Sequence, residues 1–291
     1  NSLSPRGRAT QDAVAEGIKT RKPMSQKMNN LLSVMAQLRH PENGCPWDLE
    51  QTYKSLVPHT LEEVHEVIEC IEAGDVDSLK GELGDLLFQV VFYARLAEEQ
   101  GDFSFNDVAE TMADKLIRRH PHVFASDAVK DSDHQTEKWE AIKAAERQQQ
   151  ADKSGSENPG ILAGVSRALP SLVRAQKLQR RAARVGFDWP DTKGVYEKIQ
   201  EELGECQQAV EKKDKEHIEE ELGDLLFSCV NLARHCDVDS ETALRKASRK
   251  FESRFEYIES ELRKKGEQVQ GQTVEKLDGL WREAKRVDLK S

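Results

Sequence analysis

Glu62-Glu63-Val64-His65-Glu66, followed by Glu82-Leu83-Gly84-Asp85-Leu86-Leu87-Phe88, returns 139 residues later as Glu201-Glu202-Leu203-Gly204-Glu205 and Glu221-Leu222-Gly223-Asp224-Leu225-Leu226-Phe227. The spacing between the two halves of the pattern is the same in both places, so the 291 residues hold two copies of one unit. Both stretches have helical periodicity. In the first, Leu61, Val64, Ile68 and Ile71 form an apolar stripe, Glu62, Glu63 and Glu66 share the other side, and Ala73-Gly74-Asp75 supplies the stop. In the second, Leu83, Leu86, Leu87, Val90 and Val91 make a core face with Glu82 and Asp85 one turn apart beside it. The short connection makes the two helices antiparallel neighbours. That arrangement would gather Glu63, Glu66, Glu82 and Asp85 into one cleft and Glu202, Glu205, Glu221 and Asp224 into another.

Composition agrees with an all-α fold. Charged residues reach 33 % and aromatics only 6 %, with Ala, Leu, Glu, Lys, Gln and Arg dominant, which favours amphipathic helices over sheets. A net charge of −10 argues against a nucleic-acid partner, because neutralising a phosphate backbone needs an excess of Lys and Arg. A small phosphorylated ligand needs only a few local cations or a metal ion. Cys45, Cys70, Cys206, Cys229 and Cys236 form neither a CxxC pair nor a zinc-finger spacing, so neither a disulfide framework nor a zinc site is suggested. With no signal peptide and no long apolar run, the expected location is cytoplasmic, with no membrane partner.

The organisation read along the chain is a flexible leader or tag over 1–23, a first domain over 24–147, a linker over 148–160 and a second domain over 161–291. The first domain reads as helix (Met28, Leu31, Leu32, Met35, Leu38), a loop over His40–Asp48, then the two acidic helices. A third element over Val108–Arg119 holds Lys115 and Arg119 at i,i+4, and a Glu/Lys-rich helix carries Trp139 and Lys143. The second domain repeats the order, with Lys250 and Arg254 at i,i+4 and Trp281 paired with Lys285. Phe187-Asp188-Trp189 echoes Trp47-Asp48.

Carboxylates repeated at fixed spacing while the residues between them differ argue for a site rather than solvated helix surface. At an effective dielectric near 20, two carboxylates about 4 Å apart cost roughly 4 kcal/mol, so each set calls for protonation or a divalent cation. All-oxygen ligation favours Mg²⁺, with Mn²⁺ a possible substitute, over zinc. Asp is a poor mid-helix residue, so Asp85 and Asp224 inside apolar runs point to a metal as partner. Gly84 and Gly223 suggest close approach of another backbone or a ligand. Glu62-x-x-His65 raises the rival of a di-iron site, but Gly204 stands in the second copy where His65 stands in the first. His120 and His122 read as loop or capping residues. Lys198, Lys250 and Arg254 fit either helix salt bridges or contacts to phosphate oxygens, and Trp139 and Trp281 either core packing or a ligand contact.

With these residues assembled, the chain resembles the MazG-type nucleoside triphosphate pyrophosphohydrolases of the all-α NTP pyrophosphatase superfamily, in two tandem copies from Met24 onward. The shared signature is an EExxE helix followed by an ExxD helix, with the Leu-Gly-Asp-Leu-Leu-Phe run, the Cys-Pro-Trp-Asp loop and the basic third helix. The resemblance implies metal-dependent, ATP-binding hydrolysis of nucleoside triphosphates to the monophosphate and pyrophosphate, as nucleotide-pool housekeeping. Carried over, it makes Glu202, Glu205, Glu221 and Asp224 the Mg²⁺ ligands of the second domain. Lys198, Lys250 and Arg254 would hold the triphosphate, with Trp281 on the base. Glu63, Glu66, Glu82 and Asp85, with Lys115, Arg119 and Trp139, match in the first domain, where His59 replaces the lysine at the position of Lys198. Glu201 or Glu202 would serve as the base that deprotonates the attacking water. Half of such a bundle exposes an apolar face, so homodimerisation closing each four-helix core is expected. The non-enzyme alternative is a regulatory protein that senses nucleotides without turnover.

Overall fold

The computed structural model describes residues 26–124, 146 and 160–288. Among the described residues every regular element is a helix, as the helix-forming composition predicts. The chain divides between Ala145 and Glu146 into two compact units. The leader, nearly all of the linker, Trp139 and Lys143 lie outside the described residues.

The first unit contains α1 (Gln26–Leu38), α2 (Pro46–Glu50), α3 (Val57–Ala73), α4 (Val76–Gln100), α5 (Phe105–Arg119) and α6 (Pro121–Phe124). Helix α3 stops at Gly74, whose φ of 70° is left-handed and costs a glycine little. Asp75 then caps α4 by accepting the Ser78 N–H at 3.1 Å. This two-residue break folds α3 back on α4 as the acidic hairpin. The core sits toward the other end of α4, where Val91, Phe92 and Leu96 bury against Met35 of α1 and Leu56.

Three expectations about this unit change in the structure. The stretch His40–Asp48 is not loop throughout: Pro46 starts α2, since proline in a first helical turn forfeits no hydrogen bond, so Trp47 and Asp48 sit on a helix. Buried Arg39 holds that helix by donating to the Asp48 carbonyl while pairing with Glu99 at 2.6 Å. The apolar stripe of α3 is not core, because α3 buries no residue and Leu61 and Ile71 are exposed. On α4, Leu83 and Val90 are exposed too, and the buried face is Gln89, Val91 and Phe92. Helix α1 packs against α4, with its contacts at the core of Val91, Phe92 and Leu96, and among the described residues Leu61, Ile71, Leu83 and Val90 of the hairpin stay exposed.

The second unit contains α7 (Ser171–Ala183), α8 (Thr192–Lys212), α9 (Lys215–His235), α10 (Ser240–Lys264) and α11 (Val274–Asp288). Helices α8 and α9 form the matching acidic hairpin, turning at Lys213 with φ 57° where the first unit uses glycine. Helix α7 packs on α9 and α10. Helices α10 and α11 pair through Ile258, Leu262 and Leu280, with Trp281 against that cluster. Leu203, Val210, Leu222 and Leu226 on the α8/α9 hairpin stay exposed.

Candidate active site

Each hairpin does what the repeat predicts for three of its four carboxylates. Glu63, Glu66 and Glu82 each offer an oxygen within 4.8 Å of the others, as do Glu202, Glu205 and Glu221. The reason is register: two residues one turn apart on the first helix face one residue on the second across the hairpin. Asp85 and Asp224, one turn after Glu82 and Glu221, lie outside these tight groups. Both are exposed rather than buried, so the argument that burial of the aspartate demands a metal does not hold. A Cβ on Gly84 or Gly223 would meet nothing within 4 Å, so among the described residues no backbone approaches either glycine closely. His65 is exposed and outside the carboxylate group, which removes the di-iron rival's nitrogen ligand.

The electrostatics differ between the copies. Burial raises the Glu63 carboxyl above the ordinary glutamate range, with Asp85, Glu66, Glu62 and Glu82 adding repulsion. Glu66 is raised by desolvation and then by Glu82, Glu62 and Asp85. In the second unit Glu202 and Glu221 are buried, and Lys198 reaches Glu202 at 2.7 Å and Glu201 at 2.9 Å. The hydrogen bonds to Glu201 and Glu202 push the Lys198 ammonium well above its ordinary value. Glu205 is raised by desolvation and by Glu221 and Glu202. His59, at the position of Lys198, lies 3.8 Å from Glu62, outside the group. Three oxygen donors converging with partly unneutralised charge suit a hard divalent cation, so the residues present fit Mg²⁺ or Mn²⁺.

The second site also opens into a cavity of about 730 Å³ whose lining includes Lys198, Glu202 and Asp224. The basic residues expected on later helices are placed differently. Lys250 is exposed on α10, and the Arg254 guanidinium lies 5.5 Å over the Trp281 ring, itself 5.3 Å from Phe251. None of the three lines the cavity of their own unit. Lys115 and Arg119 are half-buried on α5, which packs on α4.

The MazG nucleotide pyrophosphohydrolase domain matches this chain twice, at residues 51–124 and 192–258. A nucleoside triphosphate pyrophosphohydrolase of Escherichia coli (strain K12) is 48 % identical over 90 % of this chain and 98 % of its own length. This chain belongs to the MazG family. A nucleoside triphosphate pyrophosphohydrolase/pyrophosphatase MazG of Thermotoga maritima is 47 % identical over 89 % of this chain and 95 % of its own. One of Mycobacterium tuberculosis is 39 % identical over 57 % of this chain and 48 % of its own. The two MazG matches take in both acidic hairpins and stop before α11 and Trp281.

Beside this MazG signature stand residues to which the sequence pattern gave no role. His217 Nδ1 lies 3.4 Å from Glu221, where the repeat places Ser78 in the first unit. Asp188 is bound by Arg234 and by His235 at 3.0 Å. The echo of Trp47-Asp48 in Phe187-Asp188-Trp189, and of Arg95 in Arg234 at the repeat offset, was the available signal. It does not say that Arg95 turns instead to Glu99 at 2.8 Å and Glu98 at 3.1 Å.

Proposed function

We propose that this protein hydrolyses nucleoside triphosphates to the monophosphate and pyrophosphate, with Mg²⁺ held by Glu202, Glu205, Glu221 and Asp224. The observation that carries the reading is the buried carboxylate group of the second unit opening, beside Lys198, onto a ligand-sized cavity. The names of the E. coli and T. maritima relatives support the substrate class. Once bound, the cation would supply charge neutralisation at the phosphates and a more acidic water.

The protein's own groups divide the remaining work. Lys198, now the counter-ion of Glu201 and Glu202, exchanges those partners for phosphate oxygens when a triphosphate enters. Glu201, exposed and outside the tight group, is then released to take the proton of the attacking water. Oxygen attacks the α-phosphorus, the bond to the bridging oxygen breaks, and pyrophosphate leaves. Lys250 and Arg254, which do not line the cavity, have no part in this grip as their side chains stand. Glu63, Glu66, Glu82 and Asp85 offer the same metal set in the first unit, where Lys115 and Arg119 on α5 are the candidate phosphate contacts and His59 stands in the place of Lys198. The exposed leucines and valines of both hairpins support closure by a second copy of the chain.

Incubation with each common nucleoside triphosphate and Mg²⁺, followed by product analysis, tests the reading. Monophosphate and pyrophosphate are the expected first products. Diphosphate and orthophosphate would refute the cleavage position, and turnover that survives exhaustive chelation would refute the metal. Specific binding with no turnover of any triphosphate would instead favour the sensing alternative.

A further inference from the structure

We propose that the outward edge of α7, continued by the first half of α10, is an electrostatic collector that speeds the approach of a triphosphate to the second carboxylate group. The inference rests on the reading that this site takes a triphosphate. A chain with a net charge of −10 repels a polyanion on approach. Fast capture therefore needs a local field of the opposite sign.

The charge is not spread evenly. Residues 161–187 contain Arg167, Arg174, Lys177, Arg180, Arg181 and Arg184, and no Asp or Glu. Arg174, Lys177, Arg181 and Arg184 follow one another at three, four and three residues, which lines them up along one edge of α7 over about 15 Å. With no acid on the helix, the i,i+4 salt bridges that usually accompany such a stripe cannot form within it. The opposite edge fixes how the helix lies. Gln179 donates to the Phe227 carbonyl at 2.8 Å, and Gln176 donates to the Val238 carbonyl at 2.8 Å while accepting the Ser240 N–H at 3.2 Å and hydroxyl at 3.1 Å. Leu178, Gln179 and Ala182 then line the cavity beside Lys198 and Glu202, while Lys177, Arg180 and Arg184 are exposed.

Helix α10 extends the patch. The Gln176–Ser240 bonds bring its first turn against α7, and Lys246 and Lys250 follow at i,i+4, both exposed. The two stretches meet at Asp239, whose carboxyl is held below its ordinary range first by its bonds to Thr242 and then by Arg245 and Arg180. Asp239 and Glu241 are the only acids in residues 239–251. Distance decides what such a patch can do. A helix with its side chains is about 10–12 Å across, so cations on one edge of α7 lie roughly one Debye length, about 10 Å at 0.1 M salt, from the cavity on the other. That is too far to bond a seated triphosphate and close enough to attract an arriving one, so the patch acts on the association rate.

The test is stopped-flow binding of a fluorescent, non-hydrolysable α,β-methylene nucleoside triphosphate to the full chain with Mg²⁺, from about 0.02 M to about 0.5 M ionic strength. Lys177→Glu, Arg180→Glu and Lys246→Glu combined should slow association roughly tenfold at the low end and less than about 1.5-fold at the high end, with dissociation within about twofold of the wild type throughout. Lys177→Gln with Lys246→Gln leaves Arg180 at Asp239 and should slow association roughly two- to threefold at low salt. If the triple variant does not fold, this pair decides alone. Association unchanged at low salt overturns the collector, as does a loss that persists at high salt or falls on dissociation instead, since either marks a direct contact. A wild-type chain that captures the analogue with this salt dependence yet releases no pyrophosphate from natural triphosphates leaves the collector standing and sinks the hydrolytic reading. No capture of the analogue at any salt sinks both.

Discussion

The two acidic hairpins carry the same four carboxylates at the same spacing, yet they meet their own repulsion in different ways. In the α3/α4 hairpin Glu63 and Glu66 are both driven toward protonation, the pressure on each beyond desolvation coming from other carboxylates. In the α8/α9 hairpin two of the three clustered glutamates are buried, and Lys198 bonds one of them directly. The comparison teaches that ligand identity does not decide whether a carboxylate cluster is set for a triphosphate. The two sets differ in their surroundings: a permanent cation one turn upstream and an adjoining cavity stand at the second site in the described structure, and on the reading proposed above these set it for a triphosphate.

The hardest way to break this contrast is to disable each site in turn. Glu202→Gln with Asp224→Asn should lower hydrolysis at least about a hundredfold, as loss of metal-binding groups does, while Glu63→Gln with Asp85→Asn leaves most of it. Steady-state kinetics on folded variants of unchanged oligomeric state decide the matter. If the first pair proves the more damaging, the chemistry belongs to the first unit.

Exchange of the upstream residue isolates the lysine. Lys198→Gln should cost roughly tenfold in kcat/KM, the order expected for one charge-assisted phosphate contact. His59→Lys, placed in a chain already lacking Glu202 and Asp224, should raise residual hydrolysis several-fold. No gain would show that the cavity, not the cation, separates the sites.

A proton titration gives a smaller but cleaner signal. Glu63 and Glu66 have folded pKa values raised above the ordinary glutamate value of 4.5, so the folded state binds more protons than the unfolded one just above that value. Stability of the metal-free protein should therefore fall as pH rises from the ordinary glutamate range through the raised values. Glu63→Gln with Glu66→Gln should flatten that slope more than Glu205→Gln does, measured by urea unfolding across pH 4 to 7. A slope unchanged by the first pair would mean the repulsion is relieved elsewhere.

The smallest effect concerns the paired glycines. With nothing among the described residues near a Cβ at 84 or 223, Gly84→Ala and Gly223→Ala should each add up to about 1 kcal/mol of helix stability. A loss at either position would mark where a second copy brings its backbone close, as the sequence reading of these glycines suggests.

What was legible in the residues follows periodicity and local chemistry. The helices came from the spacing of apolar residues, the hairpin turn of the first unit from Gly74 and Asp75, and the grouping of Glu63, Glu66 and Glu82 from one-turn spacing on adjacent helices. All of these depend on residues a few positions apart. The exposure of Leu61, Leu83 and Leu226 was not legible, because an apolar stripe shows that a face seeks cover and not where the cover is. Nor could Pro46 be told from any other loop proline until α2 formed behind it.

By itself the sequence determined an all-α chain with two copies of one metal-suited carboxylate set, because period and repeat are properties of order along the chain. Only the tertiary structure decided that Lys198 bonds Glu202, that Asp85 and Asp224 stand in the open, and that Arg234 turns to Asp188 while Arg95 turns to Glu99. Asp188 and Arg234 are 46 positions apart. Which partner a long charged side chain takes is set by the backbone geometry around it and by what burial leaves within reach, and neither is written in the spacing of residues.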